Sequence, residues 1–215
     1  MILREIKQTS PERFTLVFDD GTELKTTLGI ITERFIHSGM DFDEDAYNEL
    51  VSACTLALSK ARALRIINAR PMSREELRKR LIEKGETPDN AEACAEWLCQ
   101  MGLINDAEYA GSVVRHYAAK GYGAARIKQE LRRHGVSREL WDEALAELPE
   151  QDDAIDAFLQ KRFRGRQPDR TEIRRAADAL LRRGFSYGEI RDALRRYEAD
   201  LEDLELEETM TEELE

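Results

Sequence analysis

The sequence lacks the short motifs by which many enzymes can be recognised. It contains no phosphate-binding P-loop, no GxSxG or HExxH motif and no glycine-rich dinucleotide-binding motif. Its many carboxylates lie in helical charge patterns, and no catalytic pair can be singled out among them. We therefore expect a protein that is not an enzyme and that requires no cofactor.

Cysteine and histidine are also rare, with three residues of each. Cys54, Cys94 and Cys99 include no CxxC pair, and the last two lie five residues apart, on different faces of a helix. The histidines are scattered and share no motif. Metal sites need closer spacing and histidine support. We expect no metal site, and free thiols that are buried or half-buried in a reducing compartment.

Long apolar runs are absent as well. No run of about 18 apolar residues occurs, so no segment is predicted to cross a membrane. The first residues, Met1–Lys7, lack the long apolar core of a secretory signal. These two absences predict a cytoplasmic protein with no membrane partner.

The most informative feature that is present is a helical phrase that occurs three times, at Ser73–Gly85, Gly123–Gly135 and Glu172–Gly184. When the phrases are aligned on their last glycine, apolar residues coincide at two positions. These are Leu77, Ile127 and Ala176 at the first position, and Leu81, Leu131 and Leu180 at the second. The glycines recur every 49 to 50 residues. A period of this size predicts stacked helical units, each too small to form a core alone.

The first 42 residues have a different pattern. Arg13–Phe18 is rich in aromatic and β-branched residues, and Asp19–Gly21 supplies a hairpin turn before the chain returns towards Leu28. This pattern predicts a small antiparallel meander. Since so small a sheet is marginal alone, we expect it to pack on the helices or on a partner.

From Asp43 onward the spacing of apolar residues is helical. The predicted apolar stripe of the first long helix consists of Tyr47, Leu50, Val51, Cys54, Leu58 and Ala61. The predicted fold is all-helical, with three tandem three-helix repeats in an elongated, curved array and a small β extension, as a monomer. The predicted segments are 1–42 (β extension), 43–105, 106–150 and 151–200 (the three repeats), and 201–215 (an acidic, disordered tail).

Charge is distributed unevenly along the chain. The net charge is −11, but ten carboxylates and no lysine or arginine lie between Glu198 and Glu215, so the remainder is near neutral at −1. By contrast, Lys161–Arg196 contains twelve cations and five acids, a net charge of +7. Such asymmetry indicates where a charged partner would bind. The acidic tail is a solvated end, a mimic of DNA, or a shield that keeps non-specific nucleic acid from the arginines of the third repeat.

The order, spacing and threefold recurrence of these phrases resemble the RecX regulatory family, whose members modulate the RecA recombinase. The resemblance covers roughly Tyr47–Tyr197. In the first repeat and the start of the second it is carried by Leu64, Arg70, Ser73, Glu76, Leu77, Leu81, Lys84, Gly85, Leu98, Gly102, Leu103, Ile104, Asp106, Tyr109 and Ala110. In the rest of the second repeat it is carried by Tyr117, Lys120, Gly121, Arg126, Ile127, Leu131, Gly135 and Val136.

The resemblance implies a non-enzymatic inhibitor. Members of the family bind RecA filaments on single-stranded DNA, lie in the helical groove of the filament, and block its growth or promote its loss. ATP hydrolysis, strand exchange and RecA-stimulated repressor cleavage then decrease. Two features depart from the family pattern: Tyr109 stands where phenylalanine is more common, and the meander and the acidic tail look like additions.

Six cations are candidates for contact with a partner or with DNA: Arg74, Lys84, Arg126, Arg133, Arg175 and Arg182. The second and third pairs are each seven residues apart and share a helix face, while the first two flank the corresponding helix of the first repeat. One interpretation is a solvated face with helix salt bridges such as Arg126–Glu130. The other is a recurrent basic ridge that meets filament carboxylates or DNA phosphates.

Two other functions remain open. The chain could be a helical-repeat protein that binds single-stranded DNA without contacting RecA, or a general protein-interaction scaffold. If the chain is instead a RecA regulator, as the resemblance implies, single-stranded DNA is a weak or indirect partner. The aromatic residues Tyr109, Tyr117, Trp141, Phe158 and Phe163 are predicted to lie in the core, whereas Tyr122 and Tyr187 follow helix ends and could be exposed.

Overall fold

A computed structural model describes residues 1–146, 148 and 152–198 of the chain. Contacts divide the chain into two units, Met1–Asn105 and Asp106–Glu215. The predicted acidic tail and the predicted boundary between residues 150 and 151 lie outside the described residues. Within residues 1–146, 148 and 152–198, no helix is both long and apolar enough to cross a bilayer.

The first unit begins with the predicted meander. Strands β1 (Leu3–Ser10), β2 (Arg13–Phe18) and β3 (Glu23–Thr27) form an antiparallel sheet in the order β1-β2-β3. In the turn between β2 and β3, Gly21 has a φ of +84°, which glycine adopts at little cost. The turn is where the Asp-Asp-Gly sequence predicts it.

The sheet packs on a helix, as expected for one so small. After the short helix α1 (Leu28–Glu33), helix α2 (Glu44–Ala69) contacts β3. Leu16 and Phe18 of the sheet are buried in one cluster with Leu50 and Cys54 of α2. The ring of Phe18 also meets that of Tyr47 edge-on, with centroids 5.2 Å apart. Burial of these apolar side chains stabilises the meander on the first half of α2.

The predicted stripe of α2 is correct only in its first half. Leu50 and Cys54 are buried, but the buried positions that follow are Ser59, Ala63 and Ile66 rather than Leu58 and Ala61. The reason is that α2 packs on different elements along its length. Leu50 and Cys54 of its first half are buried with the sheet, and Ala63 and Ile66 of its second half are buried with α3 (Arg74–Glu83) and α4 (Pro88–Gln100).

The second half of α2, with α3 and α4, forms the first three-helix core. Leu77 and Leu81 are fully buried there with Leu98, at the positions that the repeated phrase predicts. The hydroxyl of Ser73 accepts a hydrogen bond from the backbone N–H of Glu76, 3.1 Å away, and so caps α3.

The second unit contains two further three-helix groups. In the first, α5 (Asp106–Ala118), α6 (Ala124–Arg133) and α7 (Trp141–Ala146) surround the buried Ile127 and Leu131, with a 3₁₀ turn at Arg138–Leu140. In the second, α8 (Asp152–Phe163), α9 (Arg170–Arg183) and α10 (187–198) share a separate cluster. Its buried residues include Ala176, Leu180, Ile155, Leu159 and Phe163.

Helix α9 begins with a reciprocal cap. The carboxylate of Asp169 accepts from the backbone N–H of Glu172 at 2.7 Å, and the carboxylate of Glu172 accepts from the backbone N–H of Asp169 at 3.1 Å. Both nitrogens of the Arg166 fork also donate to Glu172, at 2.9 and 2.6 Å. These hydrogen bonds, that of Arg166 first, lower the pKa of Glu172 to about 2.

Replacing Glu172 with glutamine is expected to lower the thermal midpoint at pH 7 and to have a much smaller effect near pH 2. The folded-state pKa lies below the ordinary value of 4.5, so the stabilisation is complete above that value and is lost as the pH falls towards 2. Thermal unfolding between pH 7 and pH 2 measures the difference. Glu143→Gln, at an exposed carboxylate, is the control and should show no such trend. A constant difference between wild type and Glu172→Gln at every pH would contradict this account.

Candidate functional site

Three positions of the repeated helix carry different charges in the three repeats. They lie nine, five and two residues before the glycine that ends each repeated segment (Gly85, Gly135 and Gly184), and this spacing places them on one helix face. The occupants are Glu76, Arg80 and Glu83 on α3, then Arg126, Glu130 and Arg133 on α6, then Arg175, Ala179 and Arg182 on α9. The arginine ridge therefore recurs in the second and third repeats, and Arg74 and Lys84 of the first repeat occupy other positions.

On α6 the two arginines converge on one buried carboxylate. Glu130 is 3% exposed. Its Oε1 lies 2.8 Å from Nη2 of Arg126, and its Oε2 lies 2.7 Å from Nε of Arg133. Nη2 of Arg133 donates a hydrogen bond to the hydroxyl of Tyr117 at 3.1 Å. The predicted salt bridge between Arg126 and Glu130 is present, and the single carboxylate offsets one of the two positive charges of the pair.

On α9 the corresponding arginines have no such partner. Arg175 and Arg182 are exposed, and their guanidinium groups form no ion pair with any residue that the structure describes. Arg170 and Arg174 are exposed on the same helix and are likewise unpaired within that part of the chain. Leu181, which is 43% exposed, lies on the same helix, seven residues after Arg174 and therefore on the side of that arginine. This cationic helix face is available to bind an anionic surface.

The ends of α6 and α9 meet within the second unit. The backbone N–H of Gly123 donates to the carbonyl of Arg183 at 2.9 Å, and that of Ala125 donates to the carbonyl of Gly184 at 3.1 Å. The free N–H groups at the start of one helix thus satisfy the free carbonyls at the end of another. Their partial charges are also complementary.

Two glycines permit this contact. Gly184 has a φ of +92°, and a Cβ on it would lie 2.3 Å from the backbone nitrogen of Arg126. A Cβ on Gly123 would lie 2.4 Å from the carbonyl oxygen of Gly184. The contact places the first turn of α6, with Arg126, directly after the last turn of α9, with Arg182. We call this contact the α6–α9 junction.

In the first repeat, the two candidate cations lie in different surroundings. Arg74 donates to Glu92 and lies 2.9 Å from Glu96, and the hydrogen bond to Glu92 raises the pKa of Arg74. Lys84 follows α3, and its carbonyl accepts from Nη1 of Arg62 at 3.3 Å. The ammonium group of Lys84 is exposed and pairs with none of the residues described. Arg74 is therefore part of an ion-pair network with Glu92 and Glu96, whereas the ammonium group of Lys84 is available to contact a partner.

The aromatic residues lie mainly in or beside the cores. Phe163 is buried, and Tyr109, Tyr117, Trp141 and Phe158 are half-buried against the clusters, as the helical spacing predicts. Tyr122 is also half-buried, while Tyr187 is 70% exposed close to the end of α9. Arg183 lies over the ring of Phe158, with the guanidinium carbon 4.8 Å from its centroid. Among these seven aromatic residues, Tyr187 is therefore the exposed one.

The cysteines belong to the core of the first unit. Cys54 and Cys94 are buried free thiols and Cys99 is half-buried, as predicted. Burial raises the pKa of Cys94 to about 11, so this thiol is protonated at neutral pH. Within residues 1–146, 148 and 152–198, no cluster of three histidine, cysteine or acidic residues could hold a metal ion.

Three family descriptions match this chain in order. "RecX, first three-helix domain" matches residues 60–98, "RecX, second three-helix domain" matches 105–145, and "RecX, third three-helix domain" matches 150–194. Each match contains one of the helices α3, α6 and α9, so the repeated phrase is the middle of each domain.

Relatives named Regulatory protein RecX are similar to most of the chain. That of Xanthomonas axonopodis pv. citri (strain 306) is 39% identical over 145 residues, which is 66% of this chain and 87% of the relative. That of Ralstonia nicotianae (strain ATCC BAA-1114 / GMI1000) is 37% identical over 150 residues, which is 67% of this chain and 91% of the relative.

Two crystal structures have a similar fold. One, of a regulatory protein RecX, has a TM-score of 0.72 at 23% identity and covers 89% of this chain and 98% of that one. The other, of RecX from Lactobacillus salivarius, has a TM-score of 0.62 at 22% identity, covering 67% and 97%. The first structure covers 89% of this chain, which is more than residues 43–215 make up. Part of the N-terminal segment, residues 1–42, therefore also has a counterpart in that structure.

Proposed function

Because this chain belongs to the RecX family of regulatory proteins, we propose that it binds RecA filaments on single-stranded DNA and inhibits them. The observation that carries the proposal is the ordered match of three RecX domains along the chain. Inhibition would lower ATP hydrolysis, strand exchange and RecA-stimulated repressor cleavage. The protein acts by binding rather than by catalysis, and a filament on DNA as the partner places it in the cytoplasm.

The α9 face supports a role in this contact. Four exposed arginines, Arg170, Arg174, Arg175 and Arg182, lie on one helix with the partly exposed Leu181. Arginine is favoured at protein interfaces because its planar fork binds carboxylates in pairs of hydrogen bonds. We propose that α9 binds an acidic surface of the filament and that Lys84 of the first repeat makes a separate contact.

The repeats suit a partner that is itself repetitive. A filament presents the same surface at regular intervals, and a chain with three similar domains can engage several of them at once. Once one domain is bound, the others are held at a high effective concentration, so modest contacts accumulate into strong binding. Single substitutions at one domain would then have small effects, and paired ones larger effects.

Direct binding distinguishes this proposal from its alternatives. We expect the protein to bind RecA filaments assembled on a labelled oligo(dT) with a slowly hydrolysed ATP analogue, and to bind the free oligonucleotide weakly. Sedimentation of the filaments measures the first affinity, and fluorescence anisotropy measures the second. Equal affinity for free and RecA-coated DNA would indicate a DNA-binding protein. Binding to neither would indicate a scaffold for other partners.

A further inference from the structure

The α6 and α9 arginine pairs are equivalent in sequence but differ in what lies between them. On α6 the intervening residue is Glu130, and on α9 it is Ala179. The carboxylate of Glu130 is buried, and it contacts both guanidinium groups at 2.8 and 2.7 Å. Asp178 also lies between Arg175 and Arg182, but it is exposed and forms no ion pair with either arginine in the part of the chain that the structure describes.

This difference changes how each pair would meet a phosphate. A phosphate that approached Arg126 or Arg133 would have to compete with a carboxylate that is already in contact, and it would be repelled by the same charge. Separating these groups would also leave a buried carboxylate without its partners, which is strongly unfavourable. A phosphate that approached α9 meets two unpaired arginines, about 10 Å apart along the helix axis.

We propose that the carboxylate of Glu130 prevents the α6 arginine pair from binding phosphate. Single-stranded nucleic acid then contacts α9 of the third repeat and not α6 of the second. Glu130 is then a specificity-determining residue that keeps DNA binding weak and confined to α9. The inference goes beyond the proposed function, since it concerns direct contact with nucleic acid in the absence of RecA. It also explains how a chain with a recurrent arginine pair avoids an extended DNA-binding ridge.

The test is the binding of fluorescein-labelled oligo(dT) to the full chain by anisotropy, over a series of salt concentrations. In Glu130→Gln the side chain keeps its size but loses its charge. We expect the affinity at low salt to rise about three- to tenfold. The slope of log K against log salt should steepen by about 0.7 for each phosphate newly bound.

Glu143→Gln is the matched control, because it makes the same change in net charge at an exposed carboxylate of the second repeat. It should leave the slope unaltered. If Glu130→Gln and Glu143→Gln bind oligo(dT) equally, the proposal is overturned. Since a partly unfolded variant could also bind less, thermal unfolding of each variant accompanies the measurement.

The reciprocal change keeps the test decisive if Glu130→Gln folds poorly. Ala179→Glu places a carboxylate between Arg175 and Arg182, and should lower oligo(dT) affinity and flatten the salt slope by about 0.7 to 1.4. Ala157→Glu, on the exposed surface of α8, is its control. No difference between these two variants would overturn the proposal. Changes in affinity for RecA filaments without any change for oligo(dT) would also overturn it, and would assign the arginine pairs to protein carboxylates.

Discussion

Replacing Gly184 with alanine is expected to lower the free energy of unfolding of the second unit by about 2–5 kcal/mol. Two effects add. Alanine is strained at a φ of +92°, and its Cβ would lie 2.3 Å from the backbone nitrogen of Arg126. The backbone must move, and this opens the hydrogen bonds of the α6–α9 junction. Urea unfolding in a Trp97→Phe background, in which Trp141 alone reports, measures the change.

Two other glycines separate the effects. Gly165 has a φ of +70° and nothing within 4 Å of a Cβ, so Gly165→Ala introduces backbone strain alone and should cost about 1 kcal/mol. Gly123 has a φ of −81°, so Gly123→Ala introduces only the close approach to Gly184. We expect Gly184→Ala to be the most destabilising of the three. A cost for Gly184→Ala no greater than that for Gly165→Ala would contradict the close packing of the junction.

Reversing two charges on α9, by Arg175→Glu with Arg182→Glu, is expected to weaken inhibition of RecA at least tenfold. An exposed ion pair contributes up to about 1 kcal/mol, and reversal replaces attraction with repulsion at two positions. A total of about 1.4 kcal/mol is already a factor of ten in affinity. The dose of protein that halves RecA-dependent ATP hydrolysis is the measured quantity.

The matched control is Lys128→Glu with Arg132→Glu. These cations are exposed on α6, pair with none of the described residues, and lie outside the three aligned positions. The net charge changes by the same amount, so a general electrostatic effect would appear equally in both double variants. Equal losses would assign the effect to net charge rather than to α9. An unaltered dose response in the α9 variant would count against any role for the basic ridge.

The repeated domains could be predicted from the sequence because their signals are local. Leu77, Ile127 and Ala176 coincide in the aligned phrases, and all three are fully buried. Helical periodicity identifies such positions without knowledge of their neighbours. The meander could be predicted from the sequence as well, since a turn sequence between two β-rich segments determines which strands pair.

Features that depend on contacts between distant residues could not be predicted in this way. The buried face of α2 changes along the helix because two different groups of elements pack on it. Glu130 looks like a solvated helix residue, yet it is 3% exposed between two arginines. The α6–α9 junction joins residues about sixty positions apart, which no local pattern reveals. The sequence feature that indicates the junction is Gly123 at the N-cap of α6, a position where a serine, threonine or aspartate side chain often caps a helix.

Regulation of RecA is tested by measuring ATP hydrolysis by RecA of the same organism on single-stranded DNA, with this protein titrated in. DNA is kept in excess, so that competition for DNA cannot produce the result. We expect inhibition at well below one protein per RecA, since a bound regulator affects the growth of a whole filament. Undiminished hydrolysis at equimolar protein would contradict RecA regulation while leaving the fold and the α9 surface in place.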